Sequence, residues 1–432
     1  MSAKSDHKES AKKRLAKNTI YLYILTFSSQ AISLLTIPYQ TRILGPELYG
    51  VVGFIVAAMT IFSLCLNYGF LYSGTQAVAE HRGDIEEISK VYTAVFAIKL
   101  LMGFALLVVP VMVMLLFPES RQHGILVVLY FVAYFIAGLL PDYLYRGLEE
   151  MKLITVRTVA IRLLAAGLIF VFLKSEQDVC VLPISLLIGN MGALLACFWY
   201  DRCKLRVSFV RIGHQYTVEV FKKGAPFFVS RIASVVYQSG NAIVLGALYP
   251  GSPVVGWFNS ADKFLTLVKQ VSSPIADSIY PFMIRNKDYR LSINIMLISA
   301  PVIALLCVLL FVEAGPICAF VFGDEYYEAG NVLRCLIPAI AVILPTYIIC
   351  FPILVPMGLQ KYANMSNVVG MFVQAALLLL LFSVGKLNVY SVCMSASISE
   401  VSVFAFRLGV MIHFRERMLC RQNDAMIERR EF

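Results

Sequence analysis

Charge is what this chain has least of. Only 15% of its 432 residues are Asp, Glu, Lys or Arg, against about 25% in soluble globular domains. With 59% hydrophobic residues and a mean hydropathy of +0.76, that scarcity excludes a soluble globular protein and implies a polytopic membrane protein. The usual marks of metal, redox and nucleotide chemistry are missing too. The histidines (His7, His81, His123, His214 and His413) lie far apart, with no ligand-like spacing. No two of the ten cysteines form a C-x-x-C pair. They are scattered singly, mostly inside apolar runs, and read as small buried hydrophobes. No G-x-x-x-x-G-K-[ST] loop exists for ATP, because Gly385-Lys386 stands alone. No metal site and no cofactor is expected. The apolar run behind the basic N-terminus (Lys4, Lys8, Lys12, Lys13, Arg14, Lys17) is too long for a signal-peptide core and lacks an A-x-A cleavage site. It reads as a cytoplasmic tail before a retained first span.

What the chain has instead is a succession of long apolar runs. A span of about 20 residues crosses a hydrocarbon core of about 30 Å, and about twelve such spans fit between the polar breaks. They are expected near 15–39, 49–72, 91–117, 125–145, 153–173, 179–200, 227–249, 254–284, 291–312, 332–357, 362–384 and 389–414. Near the midpoint lies the basic stretch from Asp201 to Gly224, with Arg202, Lys204, Arg206, Arg211, Lys222 and Lys223. A basic loop between spans is held in the cytoplasm. That orientation puts both termini inside, with Arg82, Lys90, Arg146, Lys152, Arg157, Arg285, Lys287, Arg290, Lys361 and the basic tail on the same side. The outer loops keep only Arg42, Arg121, Lys174 and Lys386. The net charge of +10 is therefore a matter of membrane orientation and anionic headgroups, and nucleic acid is not an expected partner. The chain divides into residues 1–213 and 214–432, each with six spans. The halves are weakly alike: Leu44-Gly45, Gly50 and Val51-Val52-Gly53-Phe54 match Leu245-Gly246, Gly251 and Val254-Val255-Gly256-Trp257. Convergent turn chemistry would also give this pattern, but repeated halves suit a transporter with its site at mid-membrane.

Polar residues inside spans are the informative ones, because a charge at the bilayer centre costs about 2.5–3.5 kcal/mol on insertion scales. Span seven carries Arg231, Ser234, Gln238 and Asn241 on one helical face. Span eight carries Asp262, Thr266, Lys269 and Ser273 on one face, with Lys263, Gln270 and Asp277 beside them. Two adjacent polar stripes most simply line a shared aqueous cavity, and its bases suit an anion. In the alternative, Arg231 snorkels to the interface and Asp262 merely neutralises Lys263 or Lys269. Span one has an uncharged stripe, Thr26, Gln30 and Ser33, followed by Pro38, which either kinks the helix or ends it before the Arg42 loop. Lys99 and Arg162 lie within snorkelling reach of the cytoplasmic ends of spans three and five. Arg42 has Glu47 as a near partner in sequence, and Asp142, Glu400 and Arg407 read as proton-relay or structural pairs. The outer loops, including the acidic segment from Glu313 to Asn331, are too short to house a catalytic site. That favours a transporter over a membrane enzyme such as a polymerase.

Several segments together carry a resemblance: Pro38-Tyr39-Gln40-Thr41-Arg42-Ile43-Leu44-Gly45-Pro46-Glu47 with Tyr49-Gly50, Tyr68-Gly69-Phe70, and Gly256-Trp257-Phe258-Asn259-Ser260-Ala261-Asp262-Lys263. Ile279-Tyr280-Pro281, Phe322-Gly323-Asp324-Glu325-Tyr326 and Gly358-Leu359-Gln360 extend it almost end to end. In their order and spacing these resemble the Wzx-type flippases for O-antigen and lipid-linked oligosaccharides, within the multidrug, oligosaccharidyl-lipid and polysaccharide (MOP) exporter superfamily. The resemblance implies an all-α membrane fold of two pseudo-symmetric six-helix lobes around a cationic cavity, working by alternating access in a bacterial inner membrane. It implies an undecaprenyl-pyrophosphate-linked glycan as substrate, with an O-antigen polymerase and a chain-length regulator as partners. Arg42, Lys99, Arg231, Lys263 and Lys269 are then the candidate substrate-binding cations. Gln30, Ser234, Gln238, Asn241 and Thr266 are the cavity polar groups, and Asp262, Asp277, Asp142 and Glu400 the candidate ion-coupling acids. Asn67 and Asn241 stand where many relatives carry Asp. A drug or cation antiporter of the same superfamily is the alternative, and it would want acids where this chain has bases.

Overall fold

In hydrocarbon every backbone N–H and C=O must be satisfied within the chain, so apolar runs of this length fold as helices. The computed structural model describes residues 2–116, 121–286 and 289–415. Lys287 and the basic tail beyond Arg415 lie outside them, and so do the side chains of the N-terminal basic cluster and of Arg231, Ser234, Gln238 and Arg285. The described residues are 88% helical and contain no strand. Nine stretches among them are long and apolar enough to cross a membrane.

Helix α1 runs Ser2–Asn67. At 1.5 Å per residue its 66 residues would reach about 99 Å if straight, several times the thickness of a bilayer core. It breaks at Gly45 (φ 66°, ψ 172°), a backbone conformation that a β-carbon disfavours. The alternative in which Pro38 ends the first span does not hold. Pro38 and Arg42 both lie in helical backbone, because a proline deletes one N–H···O bond and leaves the rest of the ladder in place.

After α1 come α2 (Phe70–Glu80), α3 (Ile85–Ala105) and α4 (Val108–Leu116). The carboxylate of Asp84 caps α3 by accepting from the N–H groups of Glu86 and Glu87. The expected fourth span is interrupted: α5 (Gly124–Leu139) gives way at Leu140-Pro141 to α6 (Asp142–Gly147). Then follow α7 (Met151–Phe172), α8 (Val181–Cys203), α9 (His214–Leu248), α10 (Pro253–Asn286) and α11 (Tyr289–Val312). The acidic segment expected as an outer loop is itself ordered as α12 (Ala314–Phe322) and a 3-10 turn (Asp324–Tyr326), joined at Gly323 (φ 114°). The chain closes with α13 (Ala329–Ile348), a π-helical turn over Ile349–Leu354, α14 (Gln360–Ser383) and α15 (Val389–His413).

These elements form two compact units. Unit 1 comprises Met1–Gly45 and Phe54–Val235; unit 2 comprises Pro46–Gly53 and Val236–Phe432. The first half of α9 joins unit 1 because Tyr68 stacks between Phe221 and Phe228, at centroid distances of 4.4 and 4.7 Å. The Gly69 backbone also lies so close to Gly224 that a β-carbon there would sit 2.3 Å from its carbonyl oxygen. In unit 2 the short segment Pro46–Gly53 is pressed onto α10 in the same way. A β-carbon on Gly256 would lie 2.0 Å from the Pro46 oxygen, and one on Gly53 would lie 1.9 Å from Asn259 Nδ2. Among the halves' matching glycines, Gly50 and Gly256 thus serve close backbone approach, and Gly53 leaves room for the Asn259 side chain.

Candidate functional site

Helix α10 carries a run of charged and polar groups in unit 2: Asp262, Lys263, Thr266, Lys269, Gln270, Ser273 and Asp277. Lys269 Nζ donates to Glu400 Oε1 of α15 at 2.6 Å, and the two side chains are 26% and 12% exposed. One turn earlier Thr266 Oγ1 donates to Asp262 Oδ2 at 3.4 Å, with half-buried Lys263 acting on that carboxylate through space. Farther along, Ser273 Oγ donates to the exposed Asp277 at 3.2 Å. The spacing of these residues puts them on or beside one face of a single helix. Asn259 Nδ2, Ser260 Oγ and Gln270 Oε1 on the same helix are buried without a hydrogen-bond partner. Each such atom costs about 1–3 kcal/mol if it stays unpaired.

Asn241 points its chemistry elsewhere. Its Oδ1 accepts from Gln374 Nε2 of α14 at 2.7 Å; the same nitrogen lies 3.1 Å from Ser395 Oγ, and Gln374 Oε1 accepts from Ser399 Oγ at 2.8 Å. This buried amide–hydroxyl network joins α9, α14 and α15, so Asn241 is engaged with those helices. Below it, buried Arg407 donates to Ser366 Oγ (2.8 Å), the Thr346 carbonyl (3.0 Å) and Asn367 Oδ1 (3.0 Å). Thr346 sits just before the π-turn, where Pro345 and Pro352 remove backbone donors. The guanidinium thus adds a second donor to a carbonyl that already accepts from the Ile349 N–H beside the π-turn.

In unit 1 a buried cation meets a carbonyl that has lost its backbone donor. Pro141 interrupts the helix after α5, and the Asp142 N–H bonds Leu140 O instead of the carbonyl four residues back, Gly138. Lys99 Nζ takes that oxygen at 2.6 Å and the Asn67 Oδ1 at 3.1 Å, while lying 5.8 Å from the centre of the Tyr143 ring. Lys99 is only 3% exposed, so it is a core cation stitching α1, α3 and α5. Asp142, considered for ion coupling, is paired with Arg157 of α7. Gln30 is half-buried and Arg42 exposed on α1.

The structure therefore brings Asp262, Lys263, Thr266, Lys269 and Glu400 together. It sets Asn241 in a separate network of unit 2, and Lys99 and Asp142 in the core of unit 1. Sequence reasoning missed Gln374, Ser395 and Ser399. An amide inside the leucine-rich run of α14, facing two serines one turn apart on α15, was the available signal.

Comparison with known proteins agrees with this architecture. The family model described as "Polysaccharide biosynthesis protein" matches residues 15–287. A curated relative from Shigella dysenteriae, named "Putative O-antigen transporter", is 26% identical over 362 residues, covering 83% of this chain and 91% of its own. Among solved structures, the lipid II flippase MurJ in an inward closed conformation superposes with a TM-score of 0.73 at 13% identity, over 94% of this chain and 91% of that one. An inward-facing MATE-family multidrug resistance transporter of the MOP superfamily gives 0.67 at 14%, over 93% and 98%. The fold is that of the MOP superfamily, and with the family model spanning more than half of its length this chain belongs to the polysaccharide biosynthesis protein family.

Proposed function

We propose that this protein is a transporter, not an enzyme: a flippase that moves undecaprenyl-pyrophosphate-linked oligosaccharide repeat units across a bacterial inner membrane by alternating access. The glycan is O-antigen or a similar surface polysaccharide, and a polymerase and a chain-length regulator act on the product on the far side. Six helices on each side of the central basic stretch, 1–213 and 214–432, form the two lobes, with both termini in the cytoplasm.

One observation carries the reading. Helix α10, which this reading places across the membrane, keeps Asp262, Lys263, Thr266 and Lys269 together, with three further polar atoms buried and unpaired. That is an expensive arrangement in hydrocarbon unless something polar passes along it. A pyrophosphate accepts charge-assisted hydrogen bonds from lysines, roughly twice as strong as neutral ones. Its sugar hydroxyls suit Thr, Asn and Gln, and its polyprenyl tail never has to leave the lipid. The family membership and the name of the Shigella relative support the same reading.

The test is to delete the gene in its host and ask which leaflet holds the lipid-linked intermediates. Single repeat units trapped on the cytoplasmic face, with surface polysaccharide lost, are expected. Unpolymerised units exposed on the far face would identify a polymerase instead. Unchanged glycan with altered sensitivity to cationic compounds would identify a drug exporter.

A further inference from the structure

Within unit 1 a cleft of about 410 Å³ opens between α7 and α8. It exists because α8 lines it with Gly189, Gly192, Ala193 and Ala196, at i, i+3, i+4 and i+7. The two helices touch at Gly189, where a β-carbon would come within 2.9 Å of Ile161, and part at Gly192, where a β-carbon would meet nothing within 4 Å. One wall is polar. Arg157 lines the cleft with its side chain 10% exposed; it is paired with Asp142, and its Nε is shut from water without an acceptor. Tyr145 beside it donates its hydroxyl to Asp201 at 2.8 Å.

The dimensions are those of one leaflet. From Leu153 to Leu164 the α7 wall rises about 16 Å, half of a hydrocarbon core of about 30 Å. The mouth is basic: exposed Lys152 directly precedes lining residue Leu153, and exposed Arg202 and Lys204 follow lining residue Tyr200. An apolar cleft in a bilayer forfeits dispersion contacts if left empty, and water has little to bond there. We propose that it holds one acyl chain of an anionic glycerophospholipid from the leaflet that the central basic stretch faces. The headgroup sits at the Lys152, Arg202 and Lys204 rim, and an ester or phosphate oxygen serves as acceptor for Arg157. The polyprenyl tail of a lipid-linked sugar is several leaflets long and finds no room in a cleft of this depth. The site is independent of the flippase reading, because it lies in the unit that does not contain α10.

Native mass spectrometry of the purified full chain, titrated with phosphatidylglycerol or phosphatidylethanolamine, tests this. The wild type is expected to retain one phosphatidylglycerol about tenfold more tightly than phosphatidylethanolamine, as a basic rim near a membrane surface requires. Gly192→Phe fills the cleft and should remove that retention. The triple variant Lys152→Ala, Arg202→Ala, Lys204→Ala, confined to exposed side chains, should keep one lipid bound but lose the preference. Equal retention of both lipids by the wild type, or retention unchanged by Gly192→Phe, overturns the proposal. Displacement of the phosphatidylglycerol by equimolar undecaprenyl phosphate would give the cleft to the substrate's tail. A dimer that Gly192→Phe dissociates would give it to a second copy; either result also overturns the proposal.

Discussion

Lys269 and Glu400 lie 2.6 Å apart, so changing Lys269 alone takes that ammonium from a carboxylate that is 12% exposed. Removing one partner of a buried pair costs about 3–5 kcal/mol, whereas replacing both is often neutral. Lys269→Met should therefore lower both the melting temperature and transport. The double variant Lys269→Met, Glu400→Gln separates the two roles. If Lys269 serves the anionic substrate, the double variant recovers its melting temperature in detergent to near the wild-type value while surface glycan stays absent; recovery of both would make the pair purely structural. Lys99 belongs to a different category. Its ammonium satisfies Gly138 O and Asn67 Oδ1, so Lys99→Met should cost about 1–3 kcal/mol through the oxygens it leaves unpaired. Asn67→Asp, which gives the same ammonium a carboxylate, should be tolerated in a thermal melt. An equal loss from both would mean that packing, not charge, sets the site. The polar face of α10 was legible at this scale because it repeats within one helix. Glu400 as partner of Lys269 was not legible, since 131 residues separate them and pattern reasoning reaches only a few turns.

The elements are held by approaches that only glycine allows. Pro46–Gly53 docks on α10 with the Gly256 Cα beside the Pro46 carbonyl, so Gly256→Val forces the two backbones apart at a cost of about 1–3 kcal/mol for overpacking. Gly167 of α7 has nothing within 4 Å of where a β-carbon would go. Gly167→Ala should therefore be neutral, or stabilising by up to about 1 kcal/mol through helix propensity. Limited proteolysis across the break after Gly45, together with melting temperatures, reads both variants. If Gly256→Val resists the protease as well as the wild type does, the docking is not what holds that segment. The repeated glycine motif was visible in the sequence, but its purpose was not, because a close approach involves residues some two hundred positions apart. Pro38 is where the sequence suggests a kink or an end to the first helix, and the break lies at Gly45. Proline announces itself in a sequence, whereas a glycine with positive φ looks like any other glycine. The acidic segment after α11 has the composition of a loop, and its helix α12, nine residues long, is one that a hydropathy count treats as too short to matter.

Across the whole molecule, the all-helical membrane fold was readable from composition and run length, whereas the number of crossings depends on helices that composition handles badly. Helix α10 is not among the nine stretches apolar enough to span, and the reason lies in the residues proposed for the site: Asp262, Lys263, Lys269 and Asp277 lower its hydropathy. Yet its 34 residues extend about 51 Å, enough to cross. If α1 crosses twice, and α9 and α10 each cross once, the count becomes twelve and the basic loops all fall on one side. Single cysteines in a cysteine-free background, labelled from outside intact spheroplasts with an impermeant maleimide, decide it. Lys174→Cys, Ser252→Cys and Lys386→Cys should react, and Lys204→Cys and Lys361→Cys should react only after permeabilisation. Ser252 carries the argument, because it lies between α9 and α10 and no basic residue marks its side. If Ser252→Cys is protected along with Lys204→Cys, α9 does not cross, and the polar face of α10 loses its place at mid-membrane along with the transport role built on it.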